Sequence, residues 1–156
     1  MTGGQVNIHA TAIVVGTAGL LFIGPSGAGK SLTAFTCLAA AWRAGISAML
    51  LADDRVLLSP KDGCLMGRCP DAIAGLIEIR GSGIARVPHV PSAPLHLAVR
   101  VGPVERMERL PPEAERFSID GVGTLPQLRL AAHVADPLAI IGVFFPDIGL
   151  PPPFPC

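Results

Sequence analysis

The sequence predicts an α/β protein with a mixed, strand-rich sheet arranged around one long helix. Residues 20–23 form a short apolar run of the length of a buried strand. The motif G-x-x-x-x-G-K-S follows directly, with its fixed positions at Gly24, Gly29, Lys30 and Ser31. Apolar residues then recur at three- and four-residue steps, as on one face of a helix, at Leu32, Phe35, Leu38, Ala39 and Trp42. Strand, glycine loop and helix in this order predict a P-loop nucleotide-binding fold.

The glycine loop has a composition that suits phosphate binding. Glycines let successive main-chain N–H groups turn toward one ligand, and the N-terminus of the following helix favours negative charge. Lys30 can neutralise the outer phosphates and the Ser31 hydroxyl can coordinate Mg²⁺, so we expect ATP and Mg²⁺ as cofactors. The residues assigned to the nucleotide are Gly24, Pro25, Ser26, Gly27, Ala28, Gly29, Lys30 and Ser31. A glycine-rich turn that merely opens a helix is the alternative interpretation.

Length and charge exclude several classes of protein. With 156 residues the chain is expected to be a single P-loop domain, residues 1–156, with its core at residues 7–145 and a proline-rich tail at residues 146–156. The 12 basic and 12 acidic residues balance, which argues against a nucleic-acid partner. The first 29 residues hold no Lys or Arg, and the apolar runs are too short to cross a bilayer. We therefore expect a cytoplasmic protein without a membrane partner.

The first elements along the chain surround the glycine loop. Residues 7–15 read as a strand whose titratable residue is His9, and a single histidine on a strand is usually structural. The helix is predicted at residues 30–43, with Gly45 as its C-terminal cap.

Two carboxylates follow the next apolar run. Residues 49–52 read as a buried strand that ends in Asp53 and Asp54, at the edge where a parallel α/β sheet binds its ligand. In P-loop enzymes an acid at this place binds Mg²⁺, directly or through water, or acts as a base toward the attacking group. The two carboxylates could divide these roles. A solvated Asp-Asp turn is the alternative.

The second half of the chain has an antiparallel β pattern. Residues 55–60 and 64–68 predict a hairpin. Residues 77–87 predict one strand that carries Glu78 and Arg80 at alternate positions, and therefore on one face. That face is either part of a site or the exposed, ion-paired side of an edge strand.

Later segments predict two further elements. Residues 95–101 alternate like a half-buried strand, and residues 137–143 predict a short helix or strand. Three histidines are interpreted as structural, namely His89, His96 and His133.

Taken in order, these segments resemble the C-terminal catalytic domain of the HPr kinase/phosphorylase family. The resemblance rests on His9 fifteen residues ahead of Gly24, the loop GPSGAGKS, and the segments LLADDRV, LMGRCP and IEIRGSGIARV. It covers residues 7–101, and EIRG-x-GI behind a P-loop and ADD is far more specific than the P-loop alone. It implies a short form of the family that consists of the catalytic domain only and assembles as a homo-oligomer.

The resemblance also implies a reaction. Family members are protein serine kinases that phosphorylate the phosphocarrier protein HPr of the sugar/nitrogen phosphotransferase system. By resemblance, Lys30 is the catalytic P-loop lysine and His9 is another active-site position. Asp54 takes the proton from the target serine and returns one in the reverse reaction. Arg80 lies in the signature segment that is tied to both reactions.

Two metal ligands follow from the same resemblance, because Ser31 and Glu78 match the family's magnesium ligands. Asp53 is assigned to the metal from its place in the carboxylate pair that ends the predicted strand. Two features depart from the family pattern. Leu32 stands where an acid often follows the P-loop serine, and segments linked to the phosphorylase reaction have no clear counterpart after Val101. Reverse phosphorylase activity therefore stays open.

Two other functions are compatible with the motifs. A P-loop by itself also allows a kinase that acts on a small molecule. A nucleotide-sensing regulatory module that binds ATP without transferring it is the third hypothesis, supported by Leu32 and by the departures after Val101.

Overall fold

The computed structural model describes residues 4–147 of the chain. Within these residues lie twelve strands and two α-helices. The strands are β1 (Val6–Ile8), β2 (Thr11–Val15), β3 (Ala18–Ile23), β4 (Ala48–Ala52), β5 (Val56–Lys61), β6 (Cys64–Arg68), β7 (Leu76–Ile79), β8 (Gly83–Arg86), β9 (Ser92–Leu95), β10 (Leu97–Gly102), β11 (Arg116–Ile119) and β12 (Gly123–Ala131). The helices are α1 (Lys30–Arg43) and α2 (Pro137–Phe144). The strand-rich α/β architecture predicted from the sequence is therefore confirmed.

The central sheet is mixed and has six strands in the order β11-β12-β10-β3-β2-β4. β10 pairs in parallel with both β3 and β12, whereas β2 pairs antiparallel with both β3 and β4. It follows that β3, β4, β10 and β12 run in the same direction. Their C-terminal ends, together with the N-terminal end of β2, lie along one edge of the sheet.

Two apolar clusters cover the two faces of this sheet. On one face, α1 and α2 pack on alternate residues of the central strands, represented by Ile13, Phe22 and Val99. On the other face, the four-stranded sheet β1-β5-β6-β9 packs on the intervening residues, represented by Leu21 and Ala98. The central strands are buried on both faces, which explains why they read as continuous apolar runs.

Helix α1 has the bounds that the sequence predicts, and Gly45 ends it. The Gly45 N–H donates to the Trp42 carbonyl at 3.1 Å, and the Ile46 N–H donates to the Ala41 carbonyl at 2.8 Å. Gly45 has φ 76°, so this is a Schellman cap, in which a left-handed residue closes the last turn.

The face that α1 buries differs from the apolar face expected from the sequence. Leu32 is 43% exposed and Trp42 is 36% exposed. The buried residues are Lys30, Thr33, Ala34, Cys37, Leu38 and Ala41. Most of these side chains are small, and small side chains let a helix approach a sheet closely. The largest apolar residues therefore flank the contact instead of forming it.

Two predicted strands are each divided where the chain passes between the sheets. The segment at residues 7–15 forms β1, which pairs with β5, and β2, which pairs with β3. The segment at residues 95–101 is divided at His96, which separates β9 from β10. His96 is buried rather than half-exposed, and its Nδ1 atom accepts the Gly19 N–H at 2.9 Å. The structural role expected for His96 is confirmed.

The prediction of a single strand at residues 77–87 is wrong. The segment forms the hairpin β7-β8, and Arg80 lies in its turn and not on a strand face beside Glu78. Gly81 with φ 87° and Gly83 with φ 129° reverse the chain direction there.

Other local predictions agree with the structure. β5 and β6 form the expected hairpin through Asp62 and Gly63, which have φ 52° and 79°. The segment near residue 137 is a helix, and the Asp136 side chain caps it by accepting the Ala139 N–H at 3.1 Å. No helix within residues 4–147 has the length and hydropathy needed to cross a membrane. The predicted proline-rich tail lies outside the described residues from position 148 onward.

Candidate active site

A cleft of about 440 Å³ opens at the sheet edge where β3 and β4 end. Nine of the residues assigned from the sequence line it, namely His9, Ser26, Gly27, Gly29, Lys30, Ser31, Asp54, Glu78 and Arg80. Three other assigned loop residues do not line this cleft, namely Gly24, Pro25 and Ala28. Although Arg80 lies in a turn, the hairpin still brings it to the cleft beside Glu78.

Strand order explains why these residues meet. The sequence suggested that the glycine loop and the two carboxylates share the edge of a parallel sheet. β3 and β4 do run in the same direction, but the antiparallel strand β2 lies between them. The N-terminal end of β2 therefore reaches this edge as well. It brings His9 and Thr11 beside Asp54 and Asp53.

The glycine loop needs glycine at both ends. A Cβ atom on Gly24 would lie 2.5 Å from the Val101 carbonyl oxygen of the neighbouring strand β10. Gly29, the N-terminal cap of α1, has φ 96°, a conformation that L side chains resist. These two positions allow the chain to pass from a buried strand into a helix within a few residues, so the loop lies directly on the N-terminus of α1.

Lys30 is held across the base of the loop. Its side chain is buried, and Nζ donates to the Gly24 and Pro25 carbonyls at 3.0 Å each. Burial lowers the pKa of the Lys30 ammonium from its ordinary value, while the nearby charges of Asp54 and Asp53 act in the opposite direction. An anion in the cleft would compensate this poorly solvated cation.

Asp53 is buried and accepts three hydrogen bonds. Its Oδ1 atom accepts from the Thr11 hydroxyl at 2.9 Å and from the Ser31 hydroxyl at 2.5 Å. Its Oδ2 atom accepts from the Glu78 main-chain N–H at 2.9 Å. Asp53 thus connects β2, α1 and β7 and fixes the orientation of the Ser31 side chain. Both of its oxygens are engaged in these bonds.

Asp54 is exposed, whereas its neighbour Asp53 is buried. Its backbone is left-handed, with φ 73°, which turns the side chain away from the core. Its Oδ1 atom lies 2.9 Å from Nδ1 of His9, and the two side chains are 65% and 51% exposed. A group carried on the surface of a large partner could therefore reach this carboxylate.

The donors near the loop are compatible with a magnesium ion that arrives with phosphate groups. Ser31 and Glu78 line the cleft, and Asp53 orients the Ser31 hydroxyl. Among the described residues there is no group of three or more His, Cys, Asp or Glu side chains that could hold a metal. Mg²⁺ in phosphoryl-transfer sites is commonly bound by one or two protein side chains together with substrate phosphates, so the donor set fits.

Sequence reasoning missed one histidine of the cleft. His133, interpreted as structural, lines it from the loop between β12 and α2. It has φ 66°, which is uncommon for a residue with a side chain. No local sequence signal locates it, because its position follows from the parallel pairing of β12 with β10, which brings the end of β12 to the edge where the glycine loop lies.

This chain is similar to known proteins in both sequence and fold. The profile of the HPr Serine kinase C-terminal domain family matches residues 3–92. The HPr kinase/phosphorylase of Clostridium beijerinckii is 36% identical over 83 residues, which are 53% of this chain and 26% of that protein. The Clostridium novyi protein of the same name is 36% identical over 84 residues, or 54% and 25% of the two chains. The chain thus aligns with about a quarter of the length of these curated relatives.

A solved structure matches most of the fold. The Hpr(Ser) kinase/phosphatase from Coxiella burnetii superimposes with a TM-score of 0.73 and 25% sequence identity, covering 91% of this chain and 95% of that one. The match therefore extends beyond the residues covered by the family profile. Since the profile covers more than half of the sequence and the fold agrees over nearly all of it, the chain belongs to the HPr Serine kinase C-terminal domain family.

Proposed function

We propose that this chain is an ATP-dependent protein serine kinase that phosphorylates the phosphocarrier protein HPr. The observation that carries the proposal is the contact between His9 and Asp54, 2.9 Å long, at the mouth of the cleft that also contains Lys30. A carboxylate that is oriented by an imidazole and faces a phosphate-binding loop suits proton removal from a hydroxyl. The relatives named above are HPr kinase/phosphorylases, which supports HPr as the acceptor.

The glycine loop would bind the phosphates of ATP. Its main-chain N–H groups and the N-terminus of α1 supply hydrogen bonds and positive potential, and both act without side-chain rearrangement. Lys30 would leave the Gly24 and Pro25 carbonyls to which it now donates and would neutralise the charge that grows on the transferred oxygens. Arg80 lines the same cleft and adds a second cation.

Asp54 would act as the general base. It would accept the proton of the acceptor serine while that hydroxyl oxygen attacks the terminal phosphorus in line. The bond from this phosphorus to the bridging oxygen breaks at the same time, and ADP leaves. His9 would keep the Asp54 carboxylate directed at the incoming hydroxyl. The exposure of both side chains supports an acceptor carried by a protein, since a serine on a folded partner cannot enter a deep pocket. In the reverse direction the protonated Asp54 would return the proton.

Ser31 and Glu78 would hold Mg²⁺, which neutralises phosphate charge and aligns the phosphates for transfer. Asp53 would contribute mainly by accepting the hydrogen bond of the Ser31 hydroxyl, which directs the lone pairs of that oxygen toward the cleft. We further propose that residues 1–156 act as one kinase domain. We also propose that the chain forms a homo-oligomer, and sedimentation velocity measures this oligomeric state.

Phosphate transfer from γ-labelled ATP tests the function directly. The chain is incubated with Mg²⁺, labelled ATP and candidate HPr proteins, alongside HPr whose acceptor serine is replaced by alanine. We expect label on HPr, no label on the alanine variant, and no transfer by Lys30→Ala. Label on a metabolite and none on HPr would instead indicate a small-molecule kinase. Nucleotide binding without any transfer would indicate a sensing module.

A further inference from the structure

We propose that His133 is a nucleotide-binding residue whose imidazole donates a hydrogen bond to the phosphate chain near its nucleoside end. The proposal rests on the nucleotide site proposed above and adds a residue to it. Four observations carry it, namely the anchoring of the loop that holds His133, its contact with the glycine loop, its backbone conformation, and its place in the strand order.

The loop that carries His133 is short and fixed at both ends. It connects the end of β12 at Ala131 to the start of α2 at Pro137. At its first residue, the Ala132 N–H donates to the Gly102 carbonyl at 2.8 Å. At its last residue, the Asp136 side chain caps α2. A loop anchored in this way holds the main chain at His133 close to the cleft.

The same loop contacts the N-terminus of α1. The Cβ atom of Ala132 lies 3.6 Å from the place that a Cβ atom on Gly29 would occupy. Gly29 caps α1 and immediately precedes Lys30. His133 thus borders the cleft at the first turn of the helix, where the main-chain N–H groups are unpaired. A phosphate bound by those N–H groups would be within reach of its ring.

The conformation of His133 is costly and has no structural explanation. Its φ of 66° lies in the left-handed region, which is unfavourable for a residue with a side chain. The side chain is exposed, and no hydrogen bond or ion pair joins its ring to another described residue. Strained residues of this kind concentrate at ligand sites, where the ligand supplies the missing partner.

Strand order indicates which part of the nucleotide His133 meets. Asp54 follows β4, and the Glu78 main-chain N–H donates to Asp53 beside it, so both acids lie on the β2-β4 side of the glycine loop. The terminal phosphate would therefore face that side. Arg80 lies there too, with a guanidinium nitrogen 3.9 Å from a Cβ position on Gly27. β12 lies on the opposite side of β3, beyond β10. His133 therefore faces the end of the phosphate chain that leads to the nucleoside.

Binding of ADP with Mg²⁺, measured by isothermal titration calorimetry, tests the proposal. His133→Gly removes the imidazole at a position where glycine adopts φ 66° freely, and His133→Asn shortens the side chain while tolerating the same conformation. We expect both variants to bind ADP about 10-fold more weakly, the scale of one hydrogen bond to a charged group. His89→Asn, at an exposed histidine outside the cleft, should bind like the wild type.

The outcomes separate this proposal from the proposed function. If the wild-type chain does not bind ADP, the nucleotide site itself fails. If it binds and His133→Gly binds equally well, the nucleotide site stands and the role of His133 is refuted. If His133→Gly binds ADP more weakly and His133→Asn binds it like the wild type, the effect comes from loop flexibility. That result also refutes the role of the His133 imidazole. Equal melting temperatures of the variants check that the fold is retained.

A spectroscopic measurement provides a second readout. The imidazole signals of the chain can be followed by nitrogen-15 NMR and assigned with the His133→Asn and His89→Asn variants. We expect ADP to shift the His133 ring signals and to leave those of His89 in place. If ADP shifts the amide signals of the glycine loop and leaves the His133 ring signals unchanged, the proposal is contradicted.

Discussion

The Nδ1 atom of His9 lies 2.9 Å from Oδ1 of Asp54, although the two residues belong to different strand connections. His9 follows β1 and precedes β2, whereas Asp54 follows β4. They meet because β2 is inserted antiparallel between β3 and β4. This insertion places His9 beside the exposed Asp54 carboxylate. The buried Asp53 next to it instead connects β2, α1 and β7 through its hydrogen bonds.

Asp54→Asn should reduce phosphoryl transfer by at least about 10²-fold and leave ADP affinity unchanged, because a positioned base contributes on this scale only to the chemical step. Transfer from labelled ATP and calorimetric binding of ADP measure the two effects. Asp62→Asn is a matched control, because Asp62 is also an exposed aspartate with positive φ but lies in the β5-β6 turn. Near-full transfer by Asp54→Asn would show that another group accepts the proton.

His9→Gln should lower kcat by roughly 10- to 100-fold with little change in KM for ATP, since a hydrogen bond to a charged group is worth about 1.5–3 kcal/mol. Because His9 acts through Asp54, the substitution should have almost no further effect in an Asp54→Asn background. Steady-state kinetics on the two single variants and the double variant measure this coupling. Additive losses would mean that His9 has a role independent of Asp54.

Asp53→Asn should destabilise the fold by about 1–3 kcal/mol, because one of its two oxygens becomes an NH₂ group that meets hydrogen-bond donors in a buried site. The donors are the Thr11 and Ser31 hydroxyls and the Glu78 N–H. Urea unfolding measures the change. Asp54→Asn, which alters an exposed carboxylate, should unfold like the wild type. Equal stability of both variants would contradict the anchoring role of Asp53.

Glu115→Gln should destabilise the chain near neutral pH and not in acid. The Arg129 guanidinium donates to both Glu115 carboxylate oxygens, at 2.8 and 2.6 Å, and holds the pKa of Glu115 below its ordinary value of 4.5. The carboxylate therefore contributes stability above pH 4.5, and this contribution is lost as the pH falls through the lower, folded-state pKa.

Melting temperatures measured between pH 7 and acid test this linkage. At pH 7 we expect Glu115→Gln to melt at a lower temperature than the wild type. This difference in melting temperature should shrink steadily below pH 4.5. Glu113→Gln, at an exposed neighbour, is the control and should follow the wild type throughout. A deficit of the same size at every pH would indicate that packing, not the charged pair, is responsible.

Gly19→Ala should destabilise the fold by roughly 3 kcal/mol or more, because the new Cβ atom would lie 2.0 Å from the Pro94 carbonyl oxygen. Main-chain atoms on both sides of that contact cannot move freely, since Gly19 also exchanges hydrogen bonds with His96. Gly142→Ala provides the contrast. It lies in α2 with nothing within 4 Å of its Cβ position and should be neutral or stabilising by up to about 1 kcal/mol. Chemical denaturation of both variants measures the difference.

Several elements could be predicted because their causes are local. The glycine spacing from Gly24 to Ser31, the helix that follows it and its Gly45 cap depend on residues within a few turns of each other. The hairpin through Asp62 and Gly63 depends on two turn residues. His9 and Arg80 could be assigned to the proposed site only by resemblance, because no local pattern distinguishes them from surface residues.

The sequence by itself determined the buried strands, the glycine loop, its helix and the carboxylate pair at the end of β4. The tertiary structure alone decided that β2 lies between β3 and β4, that Asp53 is anchored while Asp54 is exposed, and that His133 borders the cleft. The physical reason is that periodicity and turn chemistry act over a few residues, whereas strand order follows from how distant apolar segments pack together. The residues gathered at the sheet edge depend on that order.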